Sequence, residues 1–165
     1  MGKRSVKADK NIYQQYREAL ALTRAEASEL LEIISESRIS RIESGDFKPY
    51  PDEILIMADK YQKPELCNYY CTKECSIGER HIPEIQDMSL SEITVAILGN
   101  LQALEKTKNR LIDITIDGTI DESEMSDFVE IQSSLENMAS IADSLQLWIS
   151  NALNSGKIEK LKFPH

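Results

Sequence analysis

The chain has 165 residues, 41% of them hydrophobic and 28% charged, with a formal net charge of −9; that length suits one domain or two small ones with a modest core. No apolar run approaches the ~20 residues of a membrane span, and no apolar signal core follows the basic start MGKRSVKADKN, so a cytoplasmic protein without membrane partners is expected. Residues 1–66 carry 11 Lys and Arg against 12 Asp and Glu, whereas 67–165 carry 8 against 16, which leaves the first part as the less hostile surface for a nucleic acid.

In chain order, Ile12, Tyr13, Tyr16, Ala19 and Leu20 recur at helical spacing. Thr23 to Glu26 reads TRAE, a capping box that opens a second helix over about Arg24 to Leu31. Ser35 caps a third helix, in which Ile39 and Ile42 are buried and Gly45 supplies the left-handed stop. Pro51 with Asp52 and Glu53 opens a fourth, whose apolar face is Ile54, Leu55, Ala58 and Tyr61. Pro64 starts a short cysteine helix, and Gly78 and Pro83 mark residues 76–88 as a linker.

Past the linker the pattern changes to two long helices. The first runs from about Leu90 to Ile112 and the second from about Glu122 to Asn154. Phe128, Ile131, Leu135, Met138, Ala142, Leu145, Ile149 and Ala152 fall at steps of three and four, the seam of a coiled coil. The short connection folds one helix back on the other. Ile141, Leu147, Trp148 and Leu153 lie off that seam, so a second apolar face remains, and self-association is its simplest cover. The expected organisation is an all-α chain. A four- to five-helix domain occupies 1–66, a cysteine-containing joint and linker 67–88, and an antiparallel helical hairpin that serves dimerisation 89–165.

Leu22 to Gly45 reads LTRAEASELLEIISESRISRIESG and is followed by DFKPYPDEILIMADKY. Over roughly residues 10–63 this resembles the Xre, or phage-repressor (lambda repressor-like), family of helix-turn-helix transcriptional regulators. The whole chain is similar to a Firmicutes type with a cysteine segment and a C-terminal α-hairpin. The residues agree with the resemblance: Ala27 is small enough for two helices to cross closely, and Ile34, Ile39 and Ile42 face inward. Where the family pattern has a Gly and one apolar residue in the turn, this chain has Glu32, Ile33 and Ile34.

The resemblance implies a sequence-specific regulator that binds double-stranded DNA as a homodimer, through a recognition helix at about 35–44. Glu36, Ser37, Ser40 and Arg41 would face the bases, with Arg41 as the guanine reader. Arg24, Arg38 and Lys48 would touch phosphates, and an arm with Lys3, Arg4, Lys7 and Lys10 would add charge. The alternative is a protein–protein interaction or adaptor protein that keeps the helix-turn-helix scaffold without operator binding.

Two further motifs bear on cofactors. In DITIDGTIDESE, residues Asp113, Thr115, Asp117, Gly118, Asp121 and Glu124 fall on positions 1, 3, 5, 6, 9 and 12 of an EF-hand-like calcium loop. The same residues also read as a turn followed by an Asp121–Glu124 capping box, with no ion. Cys67, Cys71 and Cys75, four apart, form a slowly turning helical stripe. With His81 they offer ligands for zinc, or as thiolates for an iron–sulfur cluster; buried free thiols and a redox role are the other readings. No nucleophile with a nearby base, phosphate-binding Gly-rich loop or HExxH pattern is present, so an enzyme is not expected.

Overall fold

The structure is a computed structural model that describes residues 10–115 and 118–158, with only the backbone of Thr115. Among the described residues every regular element is a helix: α1 (Ile12–Ala19), α2 (Arg24–Leu31), α3 (Glu36–Ser44), α4 (Pro51–Lys60), α5 (Glu65–Lys73), α6 (Gly78–His81), α7 (Leu90–Thr115) and α8 (Met125–Asn154). One compact unit ends at Ile82 and a second begins at Pro83.

In the first unit, side-chain caps set where the short helices begin. Asn11 accepts the Gln14 N–H (3.0 Å) and donates from Nδ2 to the Ile42 carbonyl (2.7 Å), tying the start of α1 to the end of α3. Thr23 and Glu26 form the expected capping box: the Glu26 N–H donates to Thr23 Oγ1 (3.2 Å) and the Thr23 N–H to Glu26 Oε2 (2.7 Å). Ser35 Oγ accepts the Arg38 N–H (3.3 Å), and Gly45, at φ +80°, ends α3 in the left-handed conformation.

Between α2 and α3 the chain makes an uncommon reversal. Glu32 has φ +62° and ψ −56°, and the Ile33 N–H donates to the Leu31 carbonyl at 2.7 Å. This is a γ-turn of the rare positive-φ kind, a strained conformation for a residue with a Cβ. It throws Ile33 outward, 68% exposed, and returns Ile34 to the core.

The core of this unit is built from Tyr13, Ala27, Leu31, Ile34, Ile39, Ile42, Ile54, Met57, Ala58, Tyr61 and Leu66. Leu55, expected on the apolar face of α4, is exposed, and Met57 is buried instead. Residues 54, 57, 58 and 61 form the i, i+3, i+4, i+7 stripe of a helix packed against both α2 and α5. Inside the globule, Glu43 accepts from Arg17 Nε (2.5 Å), Arg17 Nη2 (2.9 Å) and Arg24 Nε (2.8 Å). This fastens α1, α2 and α3 with a buried carboxylate, which also raises the pKa of the Arg17 guanidinium.

Within residues 76–88, expected as a linker, the chain forms the single turn of α6. Gly78 packs so tightly on α5 that an added Cβ would lie 2.2 Å from the Cys71 carbonyl oxygen, so only glycine fits.

In the second unit α7 and α8 pack as an antiparallel hairpin, pinned near its turn by Arg110 Nη2 to Asp127 Oδ2 at 2.6 Å. Ile93, Ile114, Ile131 and Ala152 are buried. Leu135 and Ala142 of the expected seam are exposed, whereas Ser134, Ile141 and Trp148 are half-buried and Ser144 is buried. The covered stripe of α8 therefore runs through 131, 134, 138, 141, 144, 145, 148 and 152. Polarity patterning misplaced it because two serines stand on it. Ser134 Oγ donates to the Glu130 carbonyl (3.0 Å) and Ser144 Oγ to the Ser140 carbonyl (3.0 Å), so each hydroxyl is satisfied by its own helix and can be covered cheaply.

Candidate nucleic-acid interface

The outward face of α3 carries Glu36, Ser37, Ser40 and Arg41. Glu36, Ser37 and Arg41 are exposed and Ser40 is half-buried; residues 36, 40, 44, 37 and 41 share one side because 3.6 residues make a turn. The opposite side carries Ile39 and Ile42 into the core. Ser35 and Ser37 hydroxyls are 3.2 Å apart at the start of the helix.

The basic residues assigned to phosphates are held in place by the protein. Arg38 makes a bidentate pair with Glu53, Nε to Oε1 and Nη2 to Oε2 both at 2.7 Å, and Nη2 also donates to the Lys48 carbonyl (3.1 Å). Burial alone would raise the Glu53 pKa, but the Arg38 donors and the Tyr50 N–H (2.7 Å) outweigh it and hold the carboxyl below its ordinary value. The Arg38 guanidinium lies 4.7 Å from the centroid of Tyr50. Arg24 is held by Glu43, with its side chain 38% exposed. Lys48 Nζ donates to the Glu74 carbonyl at 2.9 Å.

Arg41 differs. It has no carboxylate partner among the described residues, and its guanidinium carbon sits 3.5 Å from the ring centroid of Phe47. Lys10 pairs with Glu18 at 2.5 Å, while Lys3, Arg4 and Lys7 lie outside the described residues.

Among the described residues, no three His, Cys, Asp or Glu side chains are grouped so as to hold a metal ion. Cys67 and Cys71 are on α5, Cys75 follows its end, and His81 is exposed at the end of α6. All three cysteines are half-buried free thiols. Burial and the neighbouring Cys71 push the Cys67 thiol pKa up, whereas the backbone N–H groups of Gly78 and Ile77 draw that of Cys75 down.

Of the calcium-loop residues, Asp117 and the Thr115 side chain lie outside the described residues. Asp113 is exposed. Asp121 Oδ1 accepts from the Ser123 N–H (2.7 Å) and the Glu124 N–H (3.1 Å), and the Asp121 N–H donates to Glu124 Oε2 (3.3 Å). Asp121 and Glu124 thus make the reciprocal bonds of the capping-box reading, one turn ahead of α8.

Two residues that shape this surface, Glu43 and Phe47, were not singled out in the sequence, and two more, Glu32 and Glu53, were noted only as a turn residue and a helix-opening acid. Glu53 stood at the third position of a helix opened by proline, where an acid is explained by the helix dipole alone. Phe47 had a usable signal, an aromatic ring two residues past a helix-ending glycine in an otherwise polar loop.

No helix among the described residues is long and apolar enough to cross a membrane. No curated protein and no solved structure matches the chain. Residues 14–66, which run from within α1 to the start of α5, match the family model HTH_3, described as Helix-turn-helix, and this supports a DNA-binding helix-turn-helix in the first unit.

Proposed function

We propose that the chain is a sequence-specific transcriptional regulator that inserts α3 into the major groove of double-stranded DNA, with Arg41 reading a guanine and Glu36, Ser37 and Ser40 facing the neighbouring bases. The observation that carries this is the contrast among the arginines: Arg24 and Arg38 are tied to Glu43 and Glu53, while Arg41 stands on the exposed face of α3 with no acceptor for its edge donors among the described residues. A planar fork of that kind matches the O6 and N7 acceptors of guanine. Arg38, neutralised by Glu53, acts in this reading as the brace between α3 and α4, with its outer edge near the backbone of the DNA.

A domain without excess positive charge gains affinity by presenting two recognition helices at once. Exposed Val95, Leu98, Val129 and Leu135 on the hairpin support dimerisation through residues 89–165. Selection of bound sequences from random duplex DNA tests the reading. Enrichment of a pseudo-palindrome with a guanine in each half-site, lost with Arg41→Ala at unchanged helical content, is expected. Enrichment that survives Arg41→Ala would remove Arg41 from the bases.

The acidic hairpin and the commitment of two arginines to carboxylates favour one other reading, an adaptor that binds protein through this scaffold. A monomer in light scattering, with no sequence enriched even at low salt, would select it.

A further inference from the structure

Phe47 presents a puzzle that the fold does not answer. It is 45% exposed, on the loop after α3, and lies outside the core of the first unit. Yet its backbone is not free: the chain reverses at Gly45, and the Phe47 N–H donates to the Arg41 carbonyl at 3.2 Å. Ser44 Oγ donates to the same carbonyl (3.1 Å) and to Asp46 Oδ2 (2.7 Å), which fixes the loop from its other end. The result of this local bonding is to bring the aromatic ring to Arg41, with the guanidinium carbon 3.5 Å from its centroid.

A guanidinium has two apolar faces and an edge of N–H donors. A separation this short is that of face-on stacking, which occupies a face and leaves the edge free. The same ring lies 6.0 Å from the guanidinium of Arg38, itself 4.7 Å from the Tyr50 ring and anchored to Glu53. The Phe47 ring thus lies beside the braced part of the domain as well as against Arg41. An arginine alone on an exposed helix face samples many rotamers, and each must be frozen when it reads a base. Stacking narrows that ensemble before DNA arrives.

We propose that Phe47 is a positioning residue for base readout: its ring holds the Arg41 guanidinium flat, with its donor edge presented to guanine, and so sets the guanine preference of the half-site without contacting the base. This rests on the reading of Arg41 as a base contact. It also predicts that a lysine at position 41 fails, since an ammonium has neither the flat face nor the fork.

The test measures binding of the full chain to the duplex selected by the wild type, and to three duplexes in which the Arg41-dependent guanine is replaced by each other base. Wild type, Phe47→Tyr, Phe47→Leu, Phe47→Ala and Arg41→Ala are compared, with circular dichroism for the fold of each. Phe47→Tyr keeps the flat ring and should discriminate within about twofold of the wild type. Phe47→Leu keeps apolar bulk without the ring and should discriminate about fivefold less well, the size of an exposed cation–π contact. The dependence of binding on salt should be the same for both, because no phosphate contact changes.

Discrimination by a folded Phe47→Leu or Phe47→Ala equal to wild type overturns the proposal while leaving Arg41 as the reader. A uniform loss of affinity at constant discrimination does the same, as does loss of fold in all three Phe47 variants, which would make the ring purely structural. If Arg41→Ala discriminates as well as wild type, the reading of the interface fails and this proposal falls with it.

Discussion

Replacing Glu43 by alanine is the sharpest test of how the helix-turn-helix unit is held together. The Glu43 side chain is 1% exposed and that of Arg17 7%, so the substitution takes the hydrogen-bond acceptors of Nε and Nη2 from a buried guanidinium, leaving it the Leu22 carbonyl at 2.5 Å from Nη1 and the Glu18 carboxylate 3.8 Å from Nη2. Breaking a buried pair from one side costs about 3–5 kcal/mol. The Arg24 share is solvent-screened and adds less than about 1 kcal/mol. For a unit of this size, such a loss lowers Tm by roughly 15–30 °C.

The sequence provides its own reporters: all six tyrosines precede Ile82, and the one tryptophan, Trp148, is in α8. Near-ultraviolet tyrosine dichroism therefore follows the first unit, and tryptophan emission the second. The tyrosine transition should fall by the stated amount, and an Arg17→Met, Glu43→Leu double replacement should recover most of the loss, because a buried pair replaced by apolar residues of similar volume is close to neutral. A tyrosine transition within about 1 kcal/mol of wild type in Glu43→Ala would refute the reasoning, since that is the size of a surface ion pair.

Other substitutions probe the remaining features. Glu32→Gly should raise the stability of the first unit by about 1 kcal/mol, since glycine adopts positive φ without strain and the Lys60 ion pair it forfeits is exposed; a loss on urea denaturation would contradict this. Gly78→Ala should destabilise the same unit by about 1–3 kcal/mol, because the new methyl would meet backbone of α5; a change below about 0.5 kcal/mol by thermal melting would show that α6 is not docked there. The Glu53 carboxyl has a folded pKa below its unfolded one, so its pairing adds stability above the unfolded value that is lost as pH falls through the folded value. Glu53→Gln should remove that part of the acid dependence, and an acid titration identical to wild type would count against the pairing. Iodoacetamide should alkylate Cys75, whose thiolate the Gly78 and Ile77 amides favour, ahead of Cys67, which burial protects; peptide mass spectrometry after short exposure would reveal the opposite order if the assignment is wrong.

How much was legible in advance depended on how far apart the interacting groups lie along the chain. The helix starts at Thr23 and Ser35, the stop at Gly45 and the proline opening of α4 rest on bonds between residues three or four apart, and the residues carry that information directly. The exposed face of α3 followed from where Ile39 and Ile42 stand. The EII turn could be marked as a departure from the family pattern, but not as a γ-turn, since nothing in a glutamate announces positive φ. On α8 the apolar letters favoured 135 and 142, and only packing revealed that self-satisfied serines occupy the covered stripe.

By itself, then, the sequence determined an all-helical chain, the position of nearly every helix, the two-part organisation of its pattern and a helix-turn-helix with one outward face. Tertiary structure decided which charges on and beneath that face are available. Arg38 meets a carboxylate 15 residues away, Arg17 one 26 residues away and Arg24 one 19 residues away, so no local pattern distinguishes these arginines from Arg41. Their pairing is settled only when α3 packs between its neighbours and brings Glu43 and Glu53 within reach, leaving Arg41 stacked on Phe47 with no carboxylate partner among the described residues.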